Sequence, residues 1–395
     1  MLRPIKSFDI KGQTVLIRLD LNVPILDDII QDDFRIRACL PTINYCLSEG
    51  ASVVLMSHLG RPDGAYNEQF SLMPVGEHLA SLLEMPIKFS SDCISQDAID
   101  TSLSLKTGEV HLLENLRFHK EESTNDSVFA NKLSKHGRLY INDAFGTAHR
   151  AHASNHGVID NFKNFGIGFL FEKEMKYLKE VINKPERPLV LILGGAKIST
   201  KLDLINKYLQ QADTIIIGGG MAFTFLKAMG HNIGKSLIES KMVEQAKNIL
   251  DTARINGKKV MLPNDIVCSE EIDDTIRNNP VSVRDIPENQ MGLDIGIKTI
   301  EKYLEILDSA KTVLWNGPMG VFEKASFAIG TEAIAKKLVE ISEFNATVIA
   351  GGGDTASALR HFNMVDKVTH VSTGGGASLE LMSGNKLEAI NKLEI

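Results

Sequence analysis

Short apolar runs rich in β-branched residues alternate with helix-length segments along the chain, the pattern of βαβ units and parallel sheets. The residues that follow each run divide the sequence into two halves. In the first half the runs are T-V-L-I-R-L-D-L-N-V-P (14–24), S-V-V-L-M-S-H-L-G-R-P (52–62), E-V-H-L-L-E-N-L-R-F-H (109–119) and R-L-Y-I-N-D-A-F-G-T-A-H-R (138–150), and each ends in Arg, His, Asp or Asn. In the second half, L-V-L-I-L-G-G-A-K (189–197), T-I-I-I-G-G-G (214–220), V-I-A-G-G-G-D-T (348–355) and H-V-S-T-G-G-G-A-S (370–378) all end in glycines. Open α/β sheets bind ligands beyond the carboxyl ends of their strands. One half therefore offers cationic side chains there, and the other bare backbone. A single glycine-rich strand end is equally well explained as a tight turn; four set against four polar ends make a contrast.

The segment F-E-K-E-M-K-Y-L-K-E-V-I (171–182) places Phe171, Met175, Leu178 and Ile182 at helical spacing. Glu172 with Lys176, and Lys176 with Glu180, add i,i+4 pairs, and Pro185 and Pro188 stop the helix. It reads as a connector between domains, or else as an ordinary surface helix. At 395 residues the chain exceeds the ~250–300 at which one core stops growing. Two domains are predicted, 1–170 and 171–380.

Charge narrows the partners. With 43 basic and 50 acidic residues the net charge is −7, and no long basic tract occurs, so neither nucleic acid nor an anionic membrane is an expected partner. An anionic substrate must meet locally concentrated positive charge. No apolar run approaches the ~18 residues of a membrane span, and M-L-R-P-I-K-S-F-D lacks the apolar core of a signal peptide, so a cytoplasmic protein is expected. Cys39, Cys46, Cys93 and Cys268 form no C-x-x-C pair and read as reduced core thiols.

Arg35, Arg61, Arg117 and Arg150 follow or flank strand ends, with His58 and His149 beside two of them, and eight of the eleven histidines precede residue 157. Guanidinium groups grip carboxylate or phosphate in bidentate fashion, although any one arginine alone reads equally as a surface ion pair. Asp20 and Asn22 add hydrogen-bonding capacity for ligand hydroxyls. In the second half, Lys197 and Lys201 of G-G-A-K-I-S-T-K are four apart, so a helix opening there would place both on one face near its positive end, the outline of a phosphate site. Asp354, at another helix start, is a candidate Mg2+ ligand or a helix cap. Other phosphate motifs fail: G-H-N-I-G-K-S (230–236) is one residue short of a P-loop, no H-R-D or D-F-G occurs, and G-G-G-D-T-A (351–356) lacks the ribose acid that a dinucleotide site needs.

The strings R-L-D-L-N-V-P, S-H-L-G-R-P, L-L-E-N-L-R-F, F-G-T-A-H-R-A-H-A-S, G-G-A-K-I-S-T-K, L-W-N-G-P-M-G-V-F-E, G-G-G-D-T and S-T-G-G-G-A-S run in order from residue 18 to 378. Together they resemble the phosphoglycerate kinase family. The resemblance implies two Rossmann-like α/β domains, each a parallel sheet flanked by helices, joined by a connector helix and hinge, with the tail of about 380–395 packed back on the first domain. It implies reversible transfer of the ATP γ-phosphoryl to 3-phosphoglycerate by a monomer that uses Mg2+ with ATP or ADP. Asp20, Leu21, Asn22, Arg35, His58, Leu59, Gly60, Arg61, Arg117 and Arg150 would hold phosphoglycerate. Lys201, Gly292, Leu293, Asn316, Glu323, Gly352, Gly353, Asp354 and Thr355 would hold the nucleotide, Asp354 also the metal, and Arg35, Lys197, Gly374 and Gly375 would serve the transfer itself. Leu19, Leu21 and Asn264 stand where relatives vary, and none of these departures removes a charge.

Overall fold

All eight apolar runs read above are strands, and each belongs to one of two six-stranded parallel sheets. In the computed structural model, which describes residues 1–273 and 279–394 apart from the side chain of Glu180, the chain divides into two compact units. Met1–Lys176 with Asn385–Ile395 forms the first, and Tyr177–Gly384 the second.

The first unit contains β1 (Thr14–Arg18), the hairpin β2 (Ile25–Leu26) and β3 (Ile29–Ile30), then β4 (Ser52–Met56), β5 (Ile87–Ser90), β6 (Val110–Leu113), β7 (Leu139–Asn142) and β8 (Phe165–Ile167). Its sheet has the order β5-β6-β4-β1-β7-β8. Every residue of β4 is buried, as a parallel strand covered by helices on both faces must be. One cover is the helix Phe34–Ser48, which turns Ile36, Cys39, Ile43 and Cys46 onto the sheet at spacings of three and four. The chain builds outward from β1 to one side and then crosses to β7 on the other, so the topological switch lies between β1 and β7.

The second unit contains β9 (Leu189–Leu193), β10 (Thr214–Ile217), β11 (Lys259–Met261), β12 (Asp265–Ser269), β13 (Val281–Ser282), β14 (Met291–Ile295), β15 (Thr312–Asn316), β16 (Thr347–Ala350) and β17 (His370–Val371). The main sheet runs β11-β10-β9-β15-β16-β17 and switches between β9 and β15; β13-β12-β14 forms a small antiparallel sheet. Phe223, Leu226, Ile233, Ile266, Cys268, Val283 and Ile286 form a separate core behind that small sheet. Trp315, the only tryptophan, is buried in β15 and donates its indole N–H to the Gly317 carbonyl at 2.9 Å. All four cysteines are buried, and none is joined in a disulfide. Among the described residues no helix is long and apolar enough to cross a membrane.

The expected connector is the helix Phe169–Met175 continuing into a π-helical turn, Lys176–Val181, and the division between the units falls inside it. Phe171, Met175, Leu178 and Ile182 are all buried, so the helical spacing marks a real apolar face. The tail returns to the first unit, where Ala389 N–H donates to Ala148 O at 2.9 Å and Leu387, Ile390 and Leu393 are buried.

Asp143, just beyond β7, accepts the Phe171 N–H at 2.9 Å and so anchors the start of the connector helix. Burial pushes its carboxyl up to about 7, although bonds from Thr42, Phe171 and Leu170 act the other way. The unfolded chain releases this proton near the ordinary 3.8 and the fold only near 7. Its contribution to stability is therefore complete below about pH 4 and is lost as pH rises through 7. Asp143→Asn, which keeps an acceptor for Phe171, is expected to flatten the decline in stability between pH 4.5 and 8 in urea denaturation. An unaltered pH slope would exclude a protonated Asp143.

Candidate functional site

In the first unit, polar side chains gather beyond the carboxyl ends of β1, β4, β6 and β7. The framework begins with Arg18, the last residue of β1, which is fully buried. Its Nε donates to Ser154 Oγ at 2.7 Å, Nη1 to the Leu19 carbonyl, and Nη2 meets His58 Nδ1 at 3.2 Å. An arginine only donates, so His58 accepts at Nδ1 and carries its proton on Nε2. Burial, followed by the charges of Arg18, Arg117, Arg35 and Arg150, holds the His58 imidazole far below its ordinary pKa, which keeps it neutral. Four arginine charges therefore act on one histidine, Arg18 by direct contact.

Short bonds stitch the strand ends together. Ser57 Oγ accepts from Leu21 N at 2.9 Å and donates to Leu19 O at 2.8 Å. Asn115 Oδ1 takes the N–H groups of Leu59 and Arg117 at 3.2 and 3.0 Å, and its Nδ2 donates to Leu59 O at 2.7 Å. Asn22 Oδ1 accepts Gly60 N at 2.9 Å, and Arg117 Nη1 donates to Gly60 O at 2.6 Å. Arg35 pairs with the buried Asp20 at 3.3 Å and donates to Asn22 O at 3.1 Å. Arg61, Arg117 and Arg150 line a cavity of about 340 Å3 with His119 and His152. Burial first, then Arg18 and Arg150, pulls the Arg117 guanidinium down to about 10. Burial with the same cations and Arg117 takes His152 to about 3. Positive charge here is crowded and partly desolvated, so a multiply charged anion relieves it.

In the second unit, strand ends meet as bare backbone. Gly194 N–H donates to Asn316 O at 2.9 Å, Gly195 N–H to Pro318 O at 2.8 Å and Gly219 N–H to Met319 O at 3.0 Å. Gly219 has φ +61°, and a Cβ there would lie 2.5 Å from Gly195 N, so no other residue fits the approach. Lys201, nearly buried, donates to Asn316 Oδ1 at 2.5 Å and Asn316 O at 3.2 Å. Asn316 Nδ2 continues to Gly351 O at 2.8 Å, and Thr355 Oγ1 accepts Gly317 N–H at 2.7 Å. Burial lowers the Lys201 ammonium to about 8 against the opposing pull of Asp354. Gly292 and Leu293 lie on β14, where Ser236 Oγ accepts Gly292 N–H at 2.9 Å. Val321 N–H donates to Leu293 O at 2.9 Å, which sets the loop carrying the exposed Glu323 beside that strand.

Two sequence expectations change. Lys197 and Lys201 do not share a helix face: the glycine bonds hold 194–197 as irregular loop, and helical turns begin only at Ser199, whose N–H and O–H both go to Glu239. Lys197 is exposed and Lys201 buried. Asp354 is no cap; Gly352 holds that position with φ +94°, and Asp354 lies exposed in the first turn of the helix Gly353–His361. The Gly374 N–H is committed to Ser372 Oγ at 3.1 Å, while Gly375 caps the helix Gly376–Ser383. The sequence reading also missed Arg18, Ser154 and Glu122. Glu122 is fully buried and accepts from Ser154 N at 2.9 Å and Ser154 Oγ at 2.6 Å. Arg18 and Ser154 sit within R-L-D-L-N-V-P and A-H-A-S, but only burial separates a framework arginine from a ligand-facing one.

Comparison with known proteins gives a single answer. The family model described as Phosphoglycerate kinase matches residues 5–385. The phosphoglycerate kinase of Borrelia hermsii is 48% identical over 394 residues, covering 100% of this chain and 99% of that protein. The solved structure of phosphoglycerate kinase from Coxiella burnetii superposes with a TM-score of 0.88 at 36% identity, covering 100% of this chain and 99% of that one. That from Pyrococcus horikoshii gives 0.86 at 33%, covering 100% and 98%. With its two parallel sheets and its contrasting strand ends, the chain belongs to the phosphoglycerate kinase family.

Proposed function

We propose that the two half-sites divide the work of the phosphoglycerate kinase reaction, the reversible transfer of the ATP γ-phosphoryl to the carboxylate of 3-phosphoglycerate, giving 1,3-bisphosphoglycerate and ADP. The observation that carries this division is the cavity of about 340 Å3 that Arg61, Arg117 and Arg150 line at the strand ends of the first unit, with Arg35 paired to the buried Asp20. A small acid bearing both carboxylate and phosphate suits that field. Arg61, Arg117 and Arg150 would take the phosphate, while Arg35, Asp20, Asn22 and the His58 Nε2–H would address the carboxylate and hydroxyl. The backbone at Leu21, Leu59 and Gly60 shapes the floor. The nucleotide would lie along the glycine-rich ends of the second unit, with adenine against Gly292 and Leu293, ribose on Glu323, and phosphates toward Asn316, Lys201 and the backbone of Gly352 and Gly353.

Asp354 and Thr355 fit a nucleotide-bound Mg2+. Asp354 is an exposed carboxylate that makes no hydrogen bond or ion pair among the described residues, and hard oxygen donors are what this cation takes. Bound there, Mg2+ supplies charge neutralisation to the phosphates. No catalytic base is required, because the attacking carboxylate is already ionised at neutral pH. The remaining work is alignment and charge compensation: Arg35 on the acceptor, Lys197 on the phosphoryl in flight, and the Gly375 N–H with the Gly374 segment near its oxygens. Soluble glycolytic substrates suit a cytoplasmic monomer.

A steady-state assay with 3-phosphoglycerate and Mg-ATP tests this reading directly. Lys197→Ala is expected to lower kcat by about 10²–10³ with phosphoglycerate affinity nearly intact, since its charge acts on the transferring group. A fall of less than tenfold would reduce Lys197 to a solvated lysine. Lys201 offers a second test. Nucleotide phosphates should raise its pKa from about 8, so binding at pH 8 should take up roughly half a proton. Calorimetry in buffers of different protonation enthalpy measures the uptake, and equal heats in all buffers would remove Lys201 from the phosphate site.

A further inference from the structure

Beyond the carboxyl end of β5, the loop carrying Asp92 and Cys93 meets His119, which follows the turn Leu116–Phe118. One carboxylate oxygen, the thiol sulfur and one imidazole nitrogen all lie within 4.8 Å of one another. We propose that Asp92, Cys93 and His119 form a Zn2+ site on the flank of the phosphoglycerate cavity, distinct from the Mg2+ that accompanies the nucleotide.

The ligand chemistry selects the ion. A thiolate, an imidazole and a carboxylate are ligands that zinc accepts together, whereas Mg2+ requires oxygen donors. The spacing suits it also. His119 Nε2 and Asp92 Oδ1 are 3.2 Å apart, close to the ~3.3 Å edge of a tetrahedron built on zinc bonds of ~2.0–2.1 Å. The ligands are held from behind, as metal ligands require. Asp92 Oδ1 accepts Ile94 N–H at 2.8 Å, and His136 Nε2 donates to the Cys93 carbonyl at 3.0 Å. His136 is fixed in turn, because its Nδ1 must accept from Ser102 Oγ at 2.7 Å. The Phe129 ring lies 5.3 Å from that of His119. Cys93 is buried while Asp92 and His119 are partly exposed, so an ion arriving from solvent meets the oxygen and nitrogen first and the sulfur behind them. On coordination the thiol proton passes to solvent, and the His119 proton moves from Nε2, where it serves the hydrogen bond to Asp92 Oδ1, to Nδ1, which frees Nε2 to bind.

Position gives the site a consequence. His119 lines the cavity of Arg61, Arg117 and Arg150 and lies two residues from Arg117. Zn2+ that draws His119 toward Cys93 therefore shifts the wall of that cavity and raises KM for phosphoglycerate, a coupling that rests on the reading of the cavity given above.

Co2+, a spectroscopic stand-in for Zn2+, tests the site without reference to catalysis. Titrating the intact, metal-free protein should produce a near-ultraviolet thiolate-to-cobalt band at about one equivalent, abolished by excess Zn2+ and absent from Cys93→Ala. His119→Gln and Asp92→Asn, changes at partly exposed positions, should each weaken Zn2+ binding by about 10–100-fold. No band at millimolar Co2+, a band that survives Cys93→Ala, or wild-type Zn2+ affinity in both His119→Gln and Asp92→Asn would overturn the site. A band with the expected variant pattern but an unchanged KM for 3-phosphoglycerate at saturating Zn2+ would overturn the coupling alone. That result is distinguishable from failure of the substrate assignment, which direct phosphoglycerate binding to the metal-free protein measures.

Discussion

A guanidinium with no access to water has to be satisfied by its surroundings, and the first unit is organised around that requirement at Arg18. Removing such a charge from solvent costs several kcal/mol unless good partners replace the water. Here the Leu19 carbonyl, the Ser154 hydroxyl and the neutral nitrogen of His58 supply them. Each partner belongs to a different piece of chain: the end of β1, the segment after β7 and the end of β4. Ser154 in turn donates its hydroxyl hydrogen bond to Glu122, which is buried and takes a second bond from the Ser154 backbone N–H. Geometry and charge are thus set together. Strand ends are fixed where the arginines of the cavity emerge, and His58 is prevented from protonating and adding a further positive charge to a field already crowded.

The second unit meets a comparable demand without charge. Its strand ends approach so closely that backbone groups hydrogen-bond to backbone groups of neighbouring loops, and glycine is required because a Cβ would collide. Lys201 is the exception. It is drawn into this layer by two oxygens of Asn316, and its desolvation lowers the ammonium to about 8. The contrast between the two sets of strand ends therefore follows from how each unit solves a packing problem at the same topological place in the same kind of sheet.

The architecture was readable because parallel strands buried on both faces are continuous apolar runs, and all eight runs became strands. β15 was visible only as part of L-W-N-G-P-M-G-V-F-E, although it is central to its sheet. The short strands β5, β8 and β11 and the antiparallel β12–β14 were not separated from loops, since segments of two to five residues carry too little periodicity. Among candidate residues, type and place along the strand were legible: Arg61, Arg117 and Arg150 line one cavity, and Arg35 pairs with Asp20. Depth was not. Nothing in the string separates the buried Arg18 from the exposed Arg61, or the buried Lys201 from the exposed Lys197, because burial is decided by chain segments more than a hundred residues away: Ser154 for Arg18 and Asn316 for Lys201. Lys197 and Lys201 show the cost of extrapolating helical spacing into a loop whose shape is dictated by glycine backbone bonds.

The indole of Trp315 gives the second unit a built-in optical reporter. With one tryptophan in the chain, indole emission contains no contribution from the first unit. The ring sits in β15 beside the glycine-rich layer, and its indole N–H donates to the carbonyl of Gly317, whose own N–H is tied to Thr355 in the turn that carries Asp354. Displacement of that loop alters the dielectric environment and hydrogen bonding of the fluorophore at once. Intrinsic fluorescence therefore reads the glycine-rich loops of this unit without a label.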